Sequence, residues 1–384
     1  MVIQSAINTV AVAKLKIGFD AKRAFNNGSG LGNYARFIIN TLAQFFPQHE
    51  YFLFTPTVKD EYKNFVEGSN VNIRLLTPES KFSKTFSSFW RTYSIAEMCN
   101  ELNLDVFHGL SNELPVGIDT FKGKKLVTMH DLIFLRYPRF YNNIDRYIYT
   151  KKFSYACTNA DNIIAASAQT KADVCQYFNT PESKITVGYQ NCDKGFSVPL
   201  NIEVLNTIAK KYALPKNFML CVGTIEKRKN QIEVLKAFHS LELTNMALVF
   251  IGKQTDYAQQ LHQYVKDNHL QSQIVFLKQV PVDDLIAIYQ CAASFVYMSS
   301  FEGFGIPILE ALHTGLPILS ANTSSLTEVG GSAIEYANPQ DVNEIATKMA
   351  FIIGKKVNKN EYINQLNLFD PHSLITKLES LYHR

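Results

Sequence analysis

The stretch SFVYMSSFEGFGIPILEALHTGLP, Ser294 to Pro317, prescribes a strand, a glycine loop and a helix in immediate succession. Ser294 to Met298 is a short apolar run of buried-strand type, and Gly303 and Gly305 let the backbone turn sharply and come close to a ligand. Pro307 suits a first helical turn, and Gly315 followed by Pro317 stops the helix. The helix is therefore short, with both ends specified. Amides around Phe304, Gly305 and Ile306 point outward at its amino terminus with the positive end of the helix dipole, an arrangement that suits phosphate oxygens. Two carboxylates bracket that spot. Glu302 stands in the loop and Glu310 one turn inside the helix, so both reach one cleft at different depths. A plainer account stays open for the pair: a solvated charge at 302 and, at 310, an acid that favours an early helical turn.

The same strand-then-helix alternation runs through the chain. Strands are read at Leu15 to Asp20, Tyr51 to Phe54, Val71 to Leu76, Asp105 to His108, Leu126 to His130, Asn162 to Ala166 and Lys184 to Gly188. After Pro215 the pattern restarts at Asn217 to Thr224, Ala247 to Gly252 and Gln273 to Leu277. Helical patterns lie between most of these, which implies α/β architecture with parallel sheets. With 384 residues and 46% hydrophobic content the chain can bury two cores. We read an N-terminal domain over 1–198, a C-terminal domain over 199–366, and a last helical segment over 367–384.

Ligands in open parallel sheets gather at the carboxyl ends of strands. His130 ends one strand there, with Asp131 and Leu132 behind it. After the first strand comes NNGSGLGNY, with Gly28, Gly30 and Gly32 ahead of a helical pattern from Asn33 to Phe46. Gly30 and Gly32 are too closely spaced for a full dinucleotide fingerprint and no acid is placed for a ribose, so a nicotinamide cofactor is not favoured. A tight turn that packs helix on strand explains these glycines equally well. In GTIEKRKN, Gly223 to Asn230, the cations Arg228 and Lys229 sit between a strand end and a helix start, where basic side chains would join a diphosphate.

A formal charge of +4 is small for this length and gives no case for nucleic acid. No run approaches the roughly 18 apolar residues of a membrane span, and 1–14 reads as a loose extension rather than a signal peptide. The segment 81–98, with Lys81, Lys84 and Arg91 among Phe82, Phe86, Phe89 and Trp90, reads as an amphipathic basic helix that either rests on anionic lipid or packs its aromatic side onto the sheet. Six scattered cysteines without a Cys-x-x-Cys pair argue against zinc and for a reducing, cytoplasmic setting, without excluding a disulfide.

EGFGIPILE resembles the Glu, seven residues, Glu motif of the retaining glycosyltransferases of family 4, which have the GT-B fold: two Rossmann-like domains whose parallel sheets face an interdomain cleft. GTIEKRKN resembles a segment of that family whose basic residues neutralise the leaving nucleoside diphosphate, and looks most like mannosyltransferases of bacterial surface polysaccharide assembly. The resemblance implies donor binding at Gly30, Gly32, Gly303, Phe304, Gly305, Ile306 and Glu310, with Glu310 on the ribose. It assigns catalytic roles to His130, Arg228, Lys229 and Glu302, with His130 and Glu302 beside the transferred sugar. The implied reaction moves a hexose, mannose from GDP-mannose, onto a saccharide or lipid-linked saccharide, with UDP-sugars as the alternative donors. No Asp-x-Asp occurs, so no metal and no cofactor is expected.

Thr224 stands where many members have Arg, and Asn191, Cys192 and Asp193 keep only part of the usual linker. Asn322 to Gly331 resembles a loop before a serine-capped helix. A sugar-nucleotide epimerase shares the fold, but its paired histidines and acids are missing. A non-catalytic binding subunit would not need Glu302, Arg228, Lys229 and His130 together.

Overall fold

The computed structural model describes residues 13–65, 72–79 and 86–383. The described residues form two sheets, both parallel throughout. The first holds β1 (Lys16–Asp20), β2 (Glu50–Phe54), β3 (Asn72–Leu76), β4 (Val106–Gly109), β5 (Lys124–Met129), β6 (Asn162–Ala165) and β7 (Ile185–Val187), in the order β3-β2-β1-β4-β5-β6-β7. The second holds β8 (Phe218–Val222), β9 (Ala247–Ile251), β10 (Ile274–Leu277), β11 (Ser294–Tyr297), β12 (Ile318–Ala321) and β13 (Glu335–Ala337), in the order β10-β9-β8-β11-β12-β13. In each sheet the order reverses beside its first strand, between β1 and β4 and between β8 and β11. Such a switch point leaves a crevice at the carboxyl ends of the strands.

Helices that bear on the site are α1 (Gly30–Phe45), α2 (Ser87–Tyr93), α3 (Asn143–Asn159), α4 (Ala168–Phe178), α5 (Gln231–Ser240), α6 (Ile306–Thr314), α7 (Leu326–Gly330) and α8 (Pro371–His383). Helices cover both faces of each sheet, so a central strand can be apolar and buried throughout, as all of β9, ALVFI, is. The period of two sends alternate residues to opposite cores. Phe107, Val127 and Ile163 join Trp90 and Phe153 on one face of the first sheet, while Val106, Leu126 and Ile164 join Leu42 and Ile38 on the other. α8 adds Leu374, Ile375, Leu378, Leu381 and Tyr382 to that second face, at helical spacing, so the chain's last helix lies on its first sheet. There the Tyr382 hydroxyl meets His108 Nδ1 at 2.8 Å, and Glu379 Oε1 accepts from His49 and His383, both at 2.9 Å.

The α/β class and the two parallel sheets read from the sequence are those of the structure. Some elements differ. β12 and β13 were not expected. The helix expected from Asn33 begins at Gly30 and takes both glycines into its first turn. Gly32 is there because a Cβ would lie 1.8 Å from the Asn27 carbonyl oxygen. The single helix expected over 81–98 is broken at Ser94 into α2 and Ile95–Glu101, and Lys81, Phe82 and Lys84 lie outside the described residues, as does most of 1–14. All six cysteines are free thiols. Among the described residues no helix is long and apolar enough to cross a membrane.

Candidate functional site

β11 ends at Tyr297, and the loop that follows is held from three sides. Gly305, at φ +125°, turns the chain into α6, a conformation that a side chain would strain. The Ser325 hydroxyl donates to the carbonyls of Glu302 (2.9 Å) and Phe304 (2.6 Å), and the Glu302 N–H donates to Ser324 Oγ at 3.0 Å. Ser325 therefore does not cap its own helix, α7, as the sequence suggested; its hydroxyl is used on the glycine loop. From the first half of the chain, the Thr170 hydroxyl donates to the carbonyls of His130 (3.0 Å) and Gly303 (3.3 Å). A Cβ on Gly303 would lie 2.1 Å from the His130 carbonyl oxygen, so only glycine lets the loop touch the end of β5.

Between β8 and α5 a tight helical turn, Lys227–Lys229, aims two cations at this loop. Lys229 Nζ lies 2.5 Å from both Glu302 Oε1 and the Tyr297 hydroxyl, and Tyr297 itself donates to Glu302 at 3.0 Å. Arg228 Nη1 reaches Glu302 Oε1 at 2.8 Å and the Phe301 carbonyl at 2.6 Å, while Nη2 holds Glu226 Oε1 at 2.5 Å. Burial alone would raise the Glu302 carboxyl, but Arg228 and then Lys229 outweigh it and hold the group down at about 2. Burial also pushes the Lys229 ammonium down, with Glu302 opposing and Arg228 adding to the fall. For Arg228 burial is overcome by Glu302 and Glu226, and its pKa rises. The result is a largely buried cluster of two cations and two carboxylates beside the amino terminus of α6. An arriving anion can take over cation contacts that the glutamates now hold.

Glu310 is placed elsewhere. On α6 its Oε2 accepts from the Tyr289 hydroxyl at 2.6 Å, and burial, helped by the charge of Asp193 and opposed by Tyr289, pushes its carboxyl up to about 7. Its surroundings are the linker residues Cys192 and Asp193 rather than Arg228 and Lys229. The two glutamates thus stand in opposite electrostatic settings.

His130 is buried. Its N–H donates to Asn112 Oδ1 at 2.6 Å, and its ring meets Tyr34 edge-on with centroids 4.7 Å apart. Nε2 lies 2.9 Å from the Leu110 carbonyl, which can only accept, so Nε2 carries the proton and Nδ1 is left as an acceptor. Burial, seconded by Arg23 and opposed by Leu110, brings the ring down to about 4, which keeps it neutral. Gly30 is exposed with open space where a Cβ would be, and among the described residues no hydrogen bond joins Gly30 or Gly32 to the cation cluster.

Sequence reasoning missed Tyr297, Tyr289, Thr170, Ser324 and Ser325, since a tyrosine in an apolar run and a serine in a loop carry no mark of a site. Asp131 had one signal, its place after His130. Its carboxyl, raised by burial and lowered by the Ile133 N–H and Arg228, faces the same cluster. Three metal-ligating groups converge only at His49, Glu379 and His383 among the described residues. That cluster sits at the amino ends of β1 and β2, away from the site, and His49 Nδ1 accepts from the Leu15 N–H at 3.1 Å, so its Nε2 is protonated toward Glu379 rather than free for a metal.

Residues 28–190 match the model described as Glycosyltransferase Family 4, and residues 206–366 the model described as Glycosyl transferases group 1. Among curated proteins, the "O-antigen chain mannosyltransferase B" of Escherichia coli is 31% identical over 245 residues, 63% of each chain. The "Serotype-specific mannosyltransferase WbdA" of Escherichia coli is 31% identical over 63% of this chain but 31% of its own. The matches thus span less than two thirds of these relatives. Anabaena HepE in complex with UDP superposes with a TM-score of 0.72 at 14% identity, covering 96% of this chain and 99% of that one. Matched in both halves by models of one enzyme class, and carrying the same two-sheet architecture, the chain belongs to the glycosyltransferases of family 4, with the GT-B fold.

Proposed function

We propose that the chain is a retaining, metal-independent glycosyltransferase that moves mannose from GDP-mannose onto a saccharide or lipid-linked saccharide. The observation that carries this is the packing of Arg228, Lys229 and Glu302 beside the amino terminus of α6. On arrival of the donor, its diphosphate takes charge-assisted contacts from Arg228 and Lys229 and from the amides of Gly305 and Ile306, and Glu302 turns to the sugar. The acceptor oxygen bonds to the anomeric carbon on the face the diphosphate leaves. The bond from that carbon to the phosphate oxygen breaks, and the acceptor's proton passes to a phosphate oxygen. Cations and helix dipole supply the charge stabilisation that a divalent ion supplies in other transferases. His130, neutral with Nδ1 free to accept, suits a sugar hydroxyl.

Mannose is favoured by the names of the relatives, and a UDP-sugar is the second reading, favoured by the UDP complex of the structural neighbour. Thermal unfolding with a panel of sugar nucleotides tests both. GDP-mannose should give the largest upward shift, and turnover should survive EDTA. A larger shift with a UDP-sugar selects the second reading, and a strict need for added manganese or magnesium removes metal independence.

A further inference from the structure

Glu302 stands between two seats that the other half of the molecule supplies. On one side is Gly303, taken up by the Thr170 hydroxyl and the end of β5. On the other is Phe301, which belongs to the second half yet has only 3% of its surface exposed. Its ring lies 5.5 Å from that of Tyr137, and the Arg136 guanidinium lies 5.5 Å from its centre. The sequence builds this seat locally. A short helix, Ile133–Arg136, follows His130, and Pro138 stops it by holding Tyr137 out of helical geometry, at φ −125° and ψ 67°. Arg136 is fixed in turn by α4: its Nη2 donates to Asp173 Oδ1 at 2.5 Å, and Gln169 Nε2 donates to the same oxygen at 2.9 Å. Asp173 is fully buried, and Thr170, three residues earlier on the same helix, is the residue that holds Gly303. One helix of the first half thus fixes the chain on both sides of Glu302. The ion pair itself adds little stability. Asp173 Oδ2 and Arg136 Nε are buried with no hydrogen-bond partner among the described residues, so the pair gains little over apolar side chains of like size. What it does provide is one fixed angle for a flat cation against a ring.

We propose that Arg136 is a positioning residue for transfer: with Tyr137 it seats Phe301, and through Phe301 it sets Glu302 against the donor sugar only while the two halves are closed. The Phe301 carbonyl accepts from Arg228 Nη1 at 2.6 Å, so the loop is gripped through its ring by the first half and through its backbone by the second. When the halves part, the ring loses its seat and Glu302 its fixed place. The donor then stays on its cations without being activated, which keeps the sugar from reacting with water until the first half has closed over it. This rests on the retaining-transferase reading and adds to it the contact that ties Glu302 to closure.

The test measures release of GDP from GDP-mannose, with methyl mannoside as acceptor, for variants of the full chain, beside calorimetric titration of GDP. Arg136→Ala should lower kcat about tenfold or more, with donor KM and GDP affinity within a few-fold of wild type. Phe301→Leu leaves the ion pair intact and should show the same split, so the loss cannot be put down to an unpaired Asp173. Arg136→Lys keeps a charge on Asp173 without the planar face against Phe301, and should recover only part. In a Glu302→Gln background, Arg136→Ala should cost less than about threefold more, since one residue acts through the other. A full further loss in that background, full recovery in Arg136→Lys, or equal losses of kcat and GDP affinity overturn the inference. Hydrogen exchange of the apo protein reads the seat without turnover: amides of 300–303 should exchange faster in Arg136→Ala than in wild type, and unchanged exchange there also overturns it. A wild type that turns over neither GDP-mannose nor a UDP-sugar removes the transferase reading and this role with it, whereas the exchange test can fail while turnover stands.

Discussion

Glu328, on α7, sets its two carboxylate oxygens 2.8 and 3.1 Å from the N–H of Ala168, the first residue of α4 on the other sheet. The Tyr189 hydroxyl donates to the same carboxylate at 2.6 Å. A negative charge at a helix amino terminus is stabilised by the dipole, by about 0.3 to 1 kcal/mol. Here charge and helix belong to different halves of the molecule, so the contact is made only when they are together. It lies close to the Thr170 hydroxyl that bridges His130 and Gly303.

Glu328→Ala should therefore loosen the closed arrangement while leaving the cation cluster intact. Small-angle scattering should show a larger radius of gyration without ligand, and the KM of the acceptor should rise a few-fold with little change in nucleoside diphosphate affinity. Unchanged scattering and kinetics would make this contact incidental.

For Glu302 the packing adds a consequence to the proposed role in transfer. Lys229 is paired with this carboxylate, which Arg228 shares while also holding Glu226, so Glu302→Gln leaves the Lys229 ammonium short of its partner, at a cost of about 3 kcal/mol in the absence of ligand. A bound nucleoside diphosphate replaces the lost charge. The thermal midpoint should fall in the apo variant and recover on addition of GDP, while kcat stays down about 100-fold. Recovery of kcat as well would separate Glu302 from the chemistry.

His130 offers a different signature. Because Nε2–H is committed to the Leu110 carbonyl, only Nδ1 can serve a ligand. His130→Ala should cut transfer more than it weakens GDP binding. Equal losses, together with a lowered melting temperature, would point to its contacts with Tyr34 and Asn112 instead.

Much of this was legible because local signals agreed. The apolar run, Gly303 with Gly305, Pro307 and Gly315 all specify one turn from strand to helix, and β11 and α6 are where they imply. Arg228 and Lys229 were visible as a charged loop between strand and helix. Their partner was not, since the Lys229 to Glu302 contact joins loops far apart in sequence and is made by the pairing of β8 with β11. β13, Glu335–Ala337, and the break at Ser94 escaped for the opposite reason: no local residue type marks either.

The last prediction concerns Glu310, whose setting is the reverse of that of Glu302. An unfolded glutamate ionises near 4.5, but in the folded chain burial delays ionisation to about 7. Between these values the folded state holds a proton that the unfolded state has lost, so this group makes stability fall as pH rises through that window. A fully dry site would give about 3 kcal/mol for such a shift, and partial exposure reduces it to about 1 to 2 kcal/mol. Glu310→Gln should remove that slope, leaving the variant at least as stable as wild type at pH 8, with any difference small at pH 4. If the carboxyl also holds the donor's ribose, the same substitution should raise the donor KM and leave kcat within a few-fold, because ribose hydroxyls do not change during transfer. Urea unfolding at several pH values reads the first effect and steady-state kinetics the second. A wild-type stability that rises from pH 5 to 8 by more than the variant's would refute the buried, late-ionising carboxyl, and a collapse of kcat with KM intact would move Glu310 into the chemistry.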